Sequence, residues 1–268
     1  MATIRLDIEY DGSGFSGWAR QPGLRTVQGE LETALATVLG GADVDLIVAG
    51  RTDAGVHALG QVASFSLDSR PPADLARAVN SVGPDDVTVT AATIAADGFD
   101  ARRDATSRSY LYRVLAARTP SPFERGRALW WPHPLERSAL DACASALVGS
   151  HDFTAFTPTQ TDHVRFDRQI FRAEWLWGQA HIPARGGGGL SISDSPGPHR
   201  SQEMGVLMIT ADAFMRNMVR VLVGTMLDVA SGRRTLAEFE TLLKGAPRPA
   251  AGDTAPPHGL YLESVSYE

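Results

Sequence analysis

Ile4, Leu6, Ile8 and Tyr10 alternate with Arg5, Asp7 and Glu9, the period of two shown by a strand with one face buried and the other wet. The period lengthens after Thr26. Val27, Leu31, Leu35 and Leu39 recur every four residues until Gly40-Gly41, which predicts a helix started by the Thr26 hydroxyl and stopped by glycine. Strands are expected at residues 44–49 and 61–67, a shorter helix between Pro71-Pro72 and Gly83-Pro84, and another strand at 87–94. The order is β-α-β-β-α-β.

A charged stretch at residues 98–107 separates this half from a second that begins in the same way. A strand is expected at 109–115, and Leu140, Cys143, Ala144 and Leu147 give the i, i+3, i+4, i+7 stripe of a helix. Strands at 169–177 and 205–210, a helix from Asp212 to Ser231, a helix opened by the Thr235/Glu238 capping box and a strand at 260–266 complete the chain. The pattern predicts an α+β fold of two pseudo-repeated split β-α-β halves, residues 1–105 and 106–268. Residues 183–203, with four consecutive glycines, read as a mobile loop.

Composition narrows the class. With 268 residues, 43% of them hydrophobic, the chain can bury a core. A lone cysteine, Cys143, excludes a disulfide framework and a cysteine-based zinc cluster and suits a reducing compartment. The amino terminus reads as a strand with no basic leader, and the most apolar stretch, 219–230, is interrupted by Arg220, Gly224 and Asp228, so a cytoplasmic protein without a membrane span is expected. The net charge of −6 argues against a polyanionic partner. Its distribution argues otherwise, because all but one of the 25 basic residues are arginine, and from Arg102 to Arg127 seven arginines face only Asp104 and Glu124. A solvated arginine-rich surface accounts for the same run.

Gly12-Ser13-Gly14-Phe15-Ser16-Gly17 follows a strand and matches the dinucleotide-binding glycine pattern. That fingerprint needs a helix opening at its third glycine, and here Pro22 and Gly23 delay the helix to Thr26. The loop is left as a glycine turn needing positive φ, or as a device that presents Trp18 and Arg20 to a nucleic acid. The tract from Ala49 to Ala58 joins two strands and holds Arg51, Asp53, Gly55 and His57. It serves either turn geometry or a reactive carboxylate. Arg216 and Arg220, four apart on the expected apolar helix, would share a face. Buried, Arg220 would need a carboxylate or phosphate partner; at the surface it would snorkel to water.

Taken together, Tyr10-Asp11-Gly12, Gly17-Trp18, Ala49 to His57, Gly60-Gln61, Phe99-Asp100-Ala101-Arg102, Tyr110 with Tyr112, Asp152-Phe153-Thr154-Ala155-Phe156, Met218-Val219-Arg220 and Gly259-Leu260-Tyr261-Leu262 resemble the tRNA pseudouridine synthase A family in nearly the whole chain and in order. The resemblance implies three catalytic residues: Asp53 as the carboxylate, Tyr110 stacked on the target uracil with its hydroxyl near the carbon that loses a proton, and Arg220 keeping Asp53 ionised. Arg51, Arg102, Trp18, Arg20 and His57 are then expected to order the loops or contact RNA. It further implies that the two halves form a mixed, mostly antiparallel sheet flanked by helices, a homodimer that grips tRNA in an arginine-lined cleft, modification of uridines 38, 39 and 40 of the anticodon arm, and no cofactor or metal. Departures are Ala19 in place of the family's usual glutamine, a loose match over 161–168, and a longer loop at 183–203. Two other classes compete: a protein that binds or helps fold tRNA without chemistry, and a nucleotide-dependent enzyme using the glycine loop.

Overall fold

The computed structural model describes residues 2–68, 70–161, 164–179 and 203–268. Apart from Glu203, the glycine-rich segment expected to be a mobile loop lies outside the described residues. In chain order the elements are β1 (Ala2–Tyr10), α1 (Val27–Val38), β2 (Ile47–Val48), β3 (His57–Leu67), α2 (Leu75–Val82), β4 (Val87–Ile94) and β5 (Ser107–Ala116). They continue with β6 (Leu129–Trp131), α3 (Arg137–Leu147), β7 (Gly149–Asp152), β8 (Asp167–Gln179), β9 (Glu203–Ala211), α4 (Met218–Ala230), α5 (Leu236–Leu242) and β10 (Leu260–Ser266). The fold is α+β, with mixed and mostly antiparallel strand pairing, as the resemblance implied. Two compact units divide the chain: Met1–Ser109 with Tyr261–Glu268, and Tyr110–Leu260. Among the described residues no helix is long and apolar enough to cross a membrane.

In the first unit the strands run β4-β1-β3-β10, with β2 on β3. The alternation in β1 does what its period requires: Ile4, Leu6, Ile8 and Tyr10 are all buried. Thr26 caps α1 by accepting the Gly29 amide at 3.3 Å, and Gly40, at φ +70°, ends it. Strand β3 begins at His57, ahead of the expected start at 61. Its first residues gain partners that lie far away in sequence, Tyr10 opposite Ala58 and, in parallel, Tyr261 opposite His57. The carboxyl-terminal strand thus braces the end of the loop that carries Asp53.

The second unit has the order β5-β9-β8-β7, with β6 on β5. Tyr110 to Leu115 are buried without interruption, as in a strand covered on both faces. The capping box of α5 forms as read, Thr235 Oγ1 accepting from the Glu238 amide and Glu238 accepting from the Thr235 amide. Strands β6 and β7 have no counterpart in the predicted pattern, being short and lacking alternation. The helix expected from Asp212 begins only at Met218. Asp212 Oδ1 accepts the Gln169 and Ala213 amides, and Asn217 sits in the left-handed region at φ +61°, so the chain turns before it can coil. Arg216 stands outside the helix, and the expectation that it shares a helical face with Arg220 is corrected.

Helix α4 carries a glycine at the point where another backbone crosses it. A Cβ on Gly224 would lie 1.9 Å from the Asp253 carbonyl oxygen. Helix propensity favours Ala over Gly by about 1 kcal/mol, but no rotamer relieves a clash with a main-chain oxygen. Gly224→Ala is therefore expected to lower stability by about 1–3 kcal/mol, read as a reduced urea midpoint at unchanged slope; a raised midpoint would contradict this packing.

Candidate active site

The tract between β2 and β3 closes on itself in a tight turn. Val56 donates its amide to the Asp53 carbonyl at 3.1 Å, and Gly55 takes φ +77°, the conformation a turn of this kind demands at its third residue. Asp53 itself is half-buried, Arg51 is exposed, and Thr52, Val56 and His57 are buried. Thr52 Oγ1 lies 2.7 Å from the Tyr10 hydroxyl. Gln61 Nε2 donates to that hydroxyl at 3.3 Å and to the Gly50 carbonyl at 2.8 Å. Burial pushes the Tyr10 hydroxyl up to about 12, so it stays a neutral hydrogen-bonding post beneath the loop.

The glycine loop after β1 lies directly against this tract. A Cβ on Gly12 would come within 2.0 Å of the Val56 carbonyl oxygen, and one on Gly17, at φ +97°, within 2.9 Å of the Thr52 carbonyl oxygen. Trp18 donates its amide to that same Thr52 carbonyl at 3.1 Å. The first and last glycines of the dinucleotide-like pattern are thus used for contact with the Asp53 loop. The short 3₁₀ turn at Gly12–Gly14 does not open the helix that a pyrophosphate site would need. Trp18 is only 1% exposed and leans on the Tyr10 ring with centroids 6.0 Å apart. It forms a floor under the loop and offers no face to solvent. Arg20 is exposed, with Nε 3.2 Å from Glu32 Oε2.

His57 closes the tract on its other side, stacked on Tyr261 with ring centroids 4.6 Å apart. Its Nδ1 lies 3.1 Å from the Gly12 amide and 3.2 Å from Asp11 Oδ1. One ring nitrogen cannot accept the first and donate to the second at once, so the tautomer sets which of the two contacts is a hydrogen bond. The Asp11 carboxyl is held well below the usual carboxylate range, first by His57 and then, against partial burial, by the Ser13 hydrogen bond.

The other expected residues belong to the second unit or to the end of the first. Tyr110 on β5 is 8% exposed and meets the Phe214 ring edge to face at 5.0 Å. Arg220 is half-buried in the first turn of α4. Its Nε donates to the Ala255 carbonyl at 2.7 Å and its Nη1 to Asn217 Oδ1 at 2.9 Å, two fixed acceptors that aim the guanidinium. Tyr112 donates to the neighbouring Pro256 carbonyl at 2.8 Å; burial raises its pKa and the Arg220 charge opposes the rise. Arg102 is exposed on a turn fixed by Asp100 Oδ1, which accepts its amide at 2.9 Å. Local sequence assigns no role to Tyr10, Thr52 or Gln61, because what marks them is a hydrogen-bond network between residues 42 and 51 positions apart.

The site is thus a half-buried carboxylate on a loop locked from three sides. The family model described as tRNA pseudouridine synthase matches residues 8–102 and 143–268. The chain belongs to the tRNA pseudouridine synthase family. Proteins named tRNA pseudouridine synthase A align along almost its whole length: one from Frankia casuarinae at 41% identity, covering 100% of this chain and 90% of the relative, and one from Thermus thermophilus at 39%, covering 100% and 97%. A third, from Bacillus subtilis, is 37% identical over 99% of both chains. The resemblance read from the motifs is borne out, and both matched stretches include tracts that carried it, Asp53 in the first and Arg220 in the second. Tyr110 falls in the interval between them.

Asp11, on the loop that packs against the Asp53 turn, links this site to pH. Asp11→Ala removes the cap of the Gly12–Gly14 turn and is expected to cost about 1 kcal/mol at neutral pH. Because the folded pKa is depressed, the ionised carboxylate contributes stability above the ordinary carboxylate pKa and loses it as pH falls through the folded value. The gap between wild type and variant in chemical denaturation should therefore shrink below about pH 4. A gap that widens in acid would reverse the sign.

Proposed function

We propose that this chain converts uridine to pseudouridine in tRNA, with Asp53 as the catalytic carboxylate. The observation that carries the proposal is the presentation of Asp53: a half-buried carboxylate on a turn whose neighbours are fixed by backbone bonds and glycine contacts, in a member of this synthase family. Isomerisation breaks the bond between N1 of the base and C1′ of the sugar, joins C1′ to C5, and moves the C5 proton away as N1 gains one. A fixed carboxylate can serve this chemistry by attacking sugar or base, or by taking a proton from the sugar.

Tyr110 is assigned to stack on the target uracil, and the edge contact with Phe214 supports a ring held in one orientation. Arg220 is assigned to keep Asp53 ionised, an assignment supported by a guanidinium whose direction is set by two fixed acceptors. The exposed Arg20, Arg51 and Arg102 are assigned to the RNA backbone; Trp18 and His57, both buried, hold the loops in place. The proposed targets are uridines 38, 39 and 40 in the anticodon stem-loop, read by RNA shape more than by base edges. The enzyme is proposed to act as a homodimer in the cytoplasm.

Asp53→Asn, which keeps size and removes charge, is expected to abolish pseudouridine formation in a purified tRNA transcript while tRNA affinity stays within about twofold of wild type. Equal modification by the variant, mapped site by site, would sink the catalytic assignment. Arg220→Ala should lower the single-turnover rate roughly a hundredfold or more, the scale expected when a buried charge loses its partner. A wild-type rate at neutral pH would show that Arg220 does not sustain the Asp53 charge.

A further inference from the structure

The loop from β5 to β6, residues 117–128, takes no part in the site above, yet its backbone is fixed at both neck and tip. The neck is closed by the Ala117 amide on the Trp131 carbonyl at 3.3 Å and by Trp130 Nε1 on the Ala117 carbonyl at 2.8 Å. The tip is tied by turns: the Glu124 amide donates to the Ser121 carbonyl at 3.2 Å, and the Arg127 and Ala128 amides to the Glu124 carbonyl at 3.0 and 3.1 Å. Beneath it lies a buried ion pair, Arg113 Nη2 to Glu124 Oε2 at 2.9 Å, both side chains 6% exposed. Arg113 Nη1 also donates to the Arg127 carbonyl at 3.1 Å. Burying two charges adds little net stability, but once buried they tolerate almost no displacement. What this scaffold displays is Phe123, 71% exposed, between the exposed Arg118 and Arg125.

A single exposed apolar side chain is ordinary at a protein surface; what distinguishes Phe123 is that a fixed loop holds its ring out between two exposed arginines. The segment's single acid, Glu124, is buried and taken up by Arg113, so the surface around Phe123 is cationic on a protein of net charge −6. A ring flanked by guanidiniums fits an unstacked base between backbone phosphates. It fits a second copy of the chain poorly, since a two-fold contact would bring the same cations together. We infer that the 117–128 loop is a tRNA-contacting element in which Phe123 stacks on an unpaired base while Arg118 and Arg125 engage phosphates. The inference rests on the proposed action on tRNA and adds a contact separate from the reacting uridine.

The test uses the full chain and an unmodified tRNA transcript, with filter-binding affinity and steady-state kinetics measured together. F123A should weaken tRNA binding and raise KM about tenfold, the scale of one lost base–aromatic stack, with kcat unchanged. F123W, which restores a stacking face, should recover most of the affinity. R118Q and R125Q should each reduce the slope of log affinity against log salt by about one. Unchanged affinity and KM in F123A would overturn the inference, as would RNA-free F123A sedimenting as a smaller species than wild type, which would make the loop an interface between copies. If the wild type forms no pseudouridine, the proposed function fails, while the binding comparison still decides the role of the loop.

Discussion

A carboxylate on a loop stays in one place only if the backbone beneath it is held, and here it is held by another backbone. Gly12 and Gly17 let the chain after β1 come so close to the Val56 and Thr52 carbonyls that a single methyl group would not fit. The remaining supports follow from that contact. With the main chains in place, the Trp18 amide reaches the Thr52 carbonyl, the Tyr10 hydroxyl reaches Thr52, and Gln61 spans from Tyr10 to the Gly50 carbonyl. Each is a short, directional bond that would be lost if the loops separated by an ångström or two. The glycine pattern that resembles a nucleotide cradle therefore has a different purpose, since the close neighbour it accommodates is protein.

The second unit uses a related device around Arg220. Gly224 admits the Asp253 carbonyl against α4, the Ala255 amide donates to the Arg220 carbonyl, and the Arg220 side chain returns a bond to the Ala255 carbonyl. Asn217, strained at φ +61°, contributes Oδ1 to the same guanidinium. Backbone and side chain of one arginine are thus fastened to a single crossing segment, and the fold sets the direction in which its charge acts.

Such arrangements also explain how an acidic chain suits an RNA substrate. The arginines between Arg102 and Arg127 look like one basic patch in sequence, but they divide by use. Arg108 gives its donors to the carbonyls of Ala49, Arg102 and Ala105, and Arg113 is consumed by Glu124. Arg102, Arg118 and Arg125 present their side chains at the surface. Net charge counts all of these equally, whereas the field an RNA meets depends on which are exposed.

Much was legible from residues alone. The alternation of β1, the Thr26 cap, the capping box of α5 and the tracts of the synthase family depend on neighbours within a few positions or on a chain-long match, and those signals survive any packing. A catalytic reading of Asp53 came only from the resemblance, because a lone aspartate in a glycine-containing turn serves geometry as readily as reaction. Three dimensions decided the rest. The early start of β3 follows from pairing with β1 and β10, the late start of α4 from Asp212 capping the Gln169 amide, and the burial of Trp18 from the closeness of two loops. Each depends on contacts between residues distant in sequence, where local periodicity carries no information and only the folded backbone brings donor and acceptor within reach.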